Sequence, residues 1–153
     1  MDSERIKSIT INISLLLFFI SLTQNAVKIY YHGESHDSSS ISYLLTGSIA
    51  FFGGGLLEEI IWLANPLCLC AIIMLQRNDR KAIVLSCIAL LLAISFSFWT
   101  EILGSESGSL AKILSLELGY FLWVASIVIL TIGTFFFFII EKRELNEEES
   151  SIV

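Results

Sequence analysis

Long apolar runs alternate with short polar stretches along this chain, and the lengths of the runs set the first expectation. The first run covers residues 6–30, with its most apolar part at 15–22, and predicts a membrane-crossing helix. A second, from 43 to 75, carries only Glu58 and Glu59 as charges. As one helix it would extend roughly 50 Å at about 1.5 Å per residue, against a hydrocarbon core of about 30 Å. Gly53-Gly54-Gly55 is the natural place to divide it, because each glycine costs about 1 kcal/mol in a helix interior relative to alanine. The predicted arrangement is a short outer-surface helix at 41–52, a glycine hinge, and a second span at 56–76. One strongly tilted helix is the competing arrangement.

After a tight basic turn at 76–81, the third span is predicted over 82–102 and the fourth over 117–140. The polar stretches 32–42 and 104–116 read as connectors. Residues 144–153 are acidic and too poor in apolar side chains to fold, so they read as a disordered cytoplasmic tail. The fold class that follows is all-α: a polytopic membrane protein, a four-transmembrane-helix bundle forming a single membrane domain over 1–143.

Composition supports this pattern. Of the 153 residues, 55% are hydrophobic and 16% charged, and the mean hydropathy is +0.78. A chain this short has too few polar side chains to clothe a water-soluble globule, so lipid is its expected surrounding. Arg5 and Lys7 precede the first run as in a signal peptide. No small-x-small cleavage site follows, since Gln24 occupies the minus-three position upstream of Ala26, and a retained first span is expected.

Basic residues orient the spans. Of the nine Lys and Arg, Arg5, Lys7, Arg77, Arg80, Lys81, Lys142 and Arg143 fall on the side of the termini and the basic turn. Only Lys28 and Lys112 fall on the other. The positive-inside rule then places both termini in the cytoplasm. No basic stripe is available to neutralise phosphates, which excludes nucleic acid as a partner.

Acids collect on the opposite, outer side: Glu34, Asp37, Glu58, Glu59, Glu101, Glu106 and Glu117. Glu58 and Glu101 lie about 28 Å of helix above the basic turn, near the outer interface, where a charge costs far less than at the midplane. Such a rim would concentrate cations, or it is a set of solvated helix ends. At 100° per residue Glu58, Ile61, Asn65, Cys68 and Ile72 share an arc of about 80°, whereas Glu59 points to a lipid-facing side. Glu58 and Asn65 are therefore the better interior candidates. Pro66 frees the carbonyl of Trp62, for Asn65 or a water to satisfy.

Small and hydroxyl residues form stripes that suit close helix packing in lipid: Ser86, Ala93, Ser97 and Thr100 in the third span, and Gly119, Trp123, Ser126, Leu130 and Gly133 in the fourth. The odd set Cys68, Cys70 and Cys87 reads as small apolar fillers. His32, Glu34, His36 and Asp37 are ligand types, but a flexible Ser/Gly loop does not preorganise a metal site. No catalytic triad, His-Glu-x-x-His or phosphate-cradling glycine loop is visible, so no enzyme activity, metal or cofactor is expected.

Ser21-Leu22-Thr23-Gln24-Asn25, then Gly54 through Trp62-Leu63-Ala64-Asn65-Pro66-Leu67, and later Leu118-Gly119-Tyr120-Phe121-Leu122-Trp123 resemble a family of small, uncharacterised bacterial four-span membrane proteins. The family pattern is a glycine-rich segment, Trp-x-Ala-Asn-Pro-Leu, and then Gly-Tyr-x-Leu-Trp. This chain departs from it at Glu58-Glu59, where apolar or aromatic residues are expected. The resemblance implies a bacterial inner membrane and supplies no activity. The leading functional expectation is a non-enzymatic membrane protein acting by helix packing, oligomerisation or docking of a membrane or cytoplasmic partner. A small channel with an acidic outer rim, and an immunity or defence protein, are the alternatives. The residues singled out are Glu58, Trp62, Asn65, Pro66, Glu101, Gly119, Trp123 and Ser126.

Overall fold

The computed structural model describes residues 2–104 and 109–152. Four helices long and apolar enough to cross a membrane are present: Ser3–Leu22, Leu56–Gln76, Lys81–Phe98 and Leu118–Glu147. In chain order the elements are α1 (Ser3–Leu22), β1 (Asn25–Tyr31), β2 (Glu34–Ser39), α2 (Ser40–Gly47), a 3-10 turn (Ala50–Gly53), α3 (Leu56–Trp62), α4 (Ala64–Gln76), α5 (Lys81–Ser95), a second 3-10 turn (Phe96–Phe98), β3 (Glu101–Leu103), β4 (Leu110–Leu116) and α6 (Leu118–Ile152).

The four strands form one antiparallel sheet in the order β2-β1-β4-β3. This corrects the all-α expectation. The first apolar run stops being helical at Leu22 and not at Tyr30. Thr23-Gln24 ends the helix, and Val27, Ile29 and Tyr31 continue as a strand rich in β-branched and aromatic side chains. The polar stretch at 32–42 is a tight hairpin turn followed by a strand. His32 and Gly33 both take positive φ, 51° and 90°, as a two-residue primed turn demands. The third span likewise ends near Phe98, and its expected last turn becomes β3. The connector at 104–116 contains β4, which pairs with β1 so that Val27 faces Leu116 and Tyr30 faces Lys112.

The sheet closes one end of the bundle. Val27, Ile102 and Ala111 on its inner face pack with Phe96, Tyr120 and Trp123 from the helices. Below, Ala64, Ala89, Ala93 and Ile127 form a middle layer. Ile6, Leu75, Ala82, Leu130 and Phe137 fill the far end. There the termini and the basic turn meet: Lys7 Nζ donates to Asn78 Oδ1 at 2.9 Å and the Ser3 N–H to Glu144 Oε1 at 3.0 Å. The acidic segment 144–153, expected to be disordered, instead continues α6 through Ile152. Its Glu and Leu residues are good helix formers and follow the preceding span without a break.

The run from 43 to 75 is divided, as the length argument requires. α2 and the first 3-10 turn occupy the predicted surface-helix region, and Gly54 takes φ +87° between that turn and α3. A left-handed residue here reverses the chain direction at no steric cost, because glycine has no Cβ.

α1 and α6 are held together by small residues. On α6, Gly119, Ser126 and Gly133 recur at heptad spacing. A Cβ on Gly133 would stand 2.7 Å from the Thr10 Cβ, and Ser14 Oγ donates to the Ser126 carbonyl at 2.9 Å. The stripe seen in the sequence is thus occupied within the chain's own bundle.

A candidate binding site beneath the sheet

A cavity of about 120 Å3 lies where the sheet meets the helices. Glu58, Trp62, Asn65, Gly119 and Trp123 from the sequence-derived set all line it, together with Ser40, Tyr43, Phe96 and Tyr120. Chain separation between these groups is large, and the α3–α4 joint brings them together.

Pro66 lies in the first turn of α4 and has no N–H, so the Trp62 carbonyl loses its usual helical donor. Asn65 Nδ2 takes that role at 3.0 Å. The other end of the same amide, Oδ1, accepts from Trp123 Nε1 at 2.9 Å. Asn65 therefore couples the joint to α6, and the donor on one side and acceptor on the other determine which way the amide points. Trp62 is fixed in turn: its Nε1 donates to the Leu44 carbonyl at 2.8 Å. Its ring sits on Gly47, where a Cβ would come within 2.5 Å of Cδ1.

The adjacent acids hold two different segments. Glu58 Oε1 accepts the Leu103 N–H at 2.9 Å and so ties α3 to β3. Glu59, expected to face lipid, instead reaches back with Oε2 to the Phe51 N–H at 2.8 Å and fastens the connector before α3. Helical phase gives the direction of its side chain. The segment folding back to meet it is set by the turn at Gly54.

On α6, Tyr120 donates to the Ala93 carbonyl at 2.9 Å. Its ring packs against Phe96 and Trp123, with centroids at 5.7 Å and 6.1 Å. Ser126 lies one turn below Trp123, outside the lining, and donates to the Trp123 carbonyl. Gly119 is buried against Ser40 Oγ and the Asn25 carbonyl. Burial pushes the Tyr43 phenol up from its ordinary pKa; a Ser38 hydroxyl opposes this and the nearby Glu58 carboxylate adds to it.

Ser40, Tyr43 and Tyr120 escaped the sequence reading. Tyr120 had a signal, since it stands between Gly119 and Trp123 in the resembling pattern. Ser40 had none, being one serine in a polar stretch.

Glu101 does not join the site. It is exposed on β3, opposite Lys112 in the strand register. Other acids of the supposed rim also have local partners: Asp37 lies 3.9 Å from Lys28, and Glu117 accepts from Ser115. Glu106 lies outside the described residues. Among the described residues no group of three His, Cys, Asp or Glu is placed to hold a metal ion. Comparison with family models, with curated proteins and with solved structures found no match to this chain.

Proposed function

We propose that this chain is a multi-pass inner-membrane protein, with both termini and the basic turn cytoplasmic, that works without catalysis by binding at its sheet-capped outer end. Support for lipid as its surrounding comes from the outward faces of the helices. Phe19 on α1, Leu91 on α5 and Ile139 on α6 are 61%, 68% and 61% exposed, on surfaces too apolar for water. Orientation rests on the nine basic residues, most of which lie at the end opposite the sheet.

The observation that carries the binding reading is a contrast along the bundle axis. Toward the basic end Leu75, Leu130 and Phe137 are fully buried and fill the interior. Beneath the sheet a cavity remains, walled by oriented indole, amide and carboxylate groups. Preformed space with a few placed polar groups suits capture of a partner or ligand more than passage through the bilayer. Ser126 and Gly133 are spent on the α1–α6 seam and Gly119 on the contact with β1 and Ser40, so docking is favoured over self-association through those residues.

Purified chain in liposomes tests this directly. The expected result is no cation flux above that of protein-free vesicles. A flux that Glu58→Gln reduces would replace the binding reading with permeation.

A further inference from the structure

We infer that the cavity beneath the sheet is a site for a small organic ammonium group carried on an apolar body. The inference deepens the binding reading above and rests on it.

Size sets the first limit. An apolar cavity of about 150 Å3 is known to hold a benzene molecule. This one, of about 120 Å3, suits one ring or a short branched chain. Its walls are mainly aromatic and aliphatic, with Tyr43, Trp62, Tyr120 and Trp123 among them. The π-faces of such side chains attract a cation, and more strongly where water is excluded.

One polar feature points to a donor on the ligand: Glu58 lines the cavity. Its Oε1 is engaged by the Leu103 N–H, while Oε2 accepts no hydrogen bond and no Lys, Arg or His pairs with the carboxylate among the described residues. A carboxylate with a spare oxygen among aromatic rings is complementary to an ammonium and repels an anion.

Tyr43, Leu44 and Gly47 on α2 and Glu58 on α3 are partly exposed, so the cavity can be reached between these helices, at the level expected for the membrane interface. The ammonium can belong to a free amine or to the headgroup of an ethanolamine lipid.

Tryptophan fluorescence of the purified full chain in nanodiscs, titrated with benzylammonium and with benzyl alcohol as its neutral counterpart, tests the proposal. Benzylammonium is expected to bind at least about tenfold more tightly than the alcohol. Glu58→Gln retains an acceptor for the Leu103 N–H and should abolish that preference. If the lipid is the source, phosphatidylethanolamine nanodiscs will weaken the titration relative to equally zwitterionic phosphatidylcholine nanodiscs; equal titrations identify a free amine. Equal affinity for amine and alcohol, or parent-like discrimination in Glu58→Gln, overturns the ammonium assignment while the binding reading stands. Absence of binding by either probe overturns the site. Cation flux in liposomes is the separate result that overturns the binding reading.

Discussion

Replacing Gly119 with alanine tests how tightly the sheet is docked on the bundle. A Cβ at this position would lie 2.7 Å from the Asn25 carbonyl oxygen and 3.0 Å from its carbon, besides colliding with Ser40 Oγ. The serine hydroxyl can rotate away. The Asn25 carbonyl cannot, because its neighbours are bonded on both sides: the Ser40 N–H donates to the Gln24 carbonyl at 3.0 Å, and the Glu117 N–H to the Ala26 carbonyl at 2.8 Å. Relief therefore requires the start of α6 to shift from β1. Overpacking of this kind costs about 1–3 kcal/mol. The helix-propensity gain of alanine, about 1 kcal/mol in a helix interior, is smaller at the second residue of α6. The net expectation is a loss of about 1–2 kcal/mol, read as a lower melting temperature in detergent by fluorescence-detected size exclusion. Ser40→Ala in the same chain should restore part of the loss, and only part, because the backbone clash remains. A Gly119→Ala variant as stable as the parent would refute the close approach of α6 to β1.

Three further outcomes follow from individual bonds. Asn65→Ala leaves the Trp62 carbonyl and the Trp123 indole N–H without partners and should destabilise the chain by about 2–4 kcal/mol. It should cost less in a Pro66→Ala background, where the residue-66 N–H again serves the Trp62 carbonyl; a thermal double-mutant cycle reads the difference. Glu59→Ala should free the Phe51 N–H and raise hydrogen exchange across residues 50–55 with little change in the helices, whereas a purely lipid-facing Glu59 would leave exchange there unchanged. Gly54→Ala meets no neighbour but must adopt φ +87°, so a loss of about 1 kcal/mol is expected from backbone strain alone, measured in the same thermal assay.

The helical part of the fold was legible because length and apolarity act locally. The same locality hid the sheet. Ala26 to Tyr31 extends the first apolar run with Lys28 as its one charge, and Thr23-Gln24-Asn25 marks the change from helix to strand. Trp99 to Leu103 does the same after the third span, with Glu101 as its one charge. The pairing partner of β1 is β4, far along the chain, and no local pattern encodes that contact. His32-Gly33 was the one hairpin signal, and it was masked by the polar residues that follow it. At the site, Glu58 and Asn65, which helical phase puts on one stripe, both line the cavity. Helical phase failed for Glu59, whose partner is brought round by a left-handed glycine. The stripe on α6 was found, but its use within the α1–α6 seam depends on Thr10 and Ser14 opposite it.

The account as a whole stands on the sheet end and the basic end lying on opposite sides of a membrane. In a variant with Cys68, Cys70 and Cys87 replaced by alanine, single cysteines at Ser35 and at Asn78 can be challenged with a membrane-impermeant maleimide in intact cells. The expected result is labelling at position 35 before permeabilisation and at position 78 only after it. Labelling of both positions in intact cells, or of position 78 alone, would contradict the account.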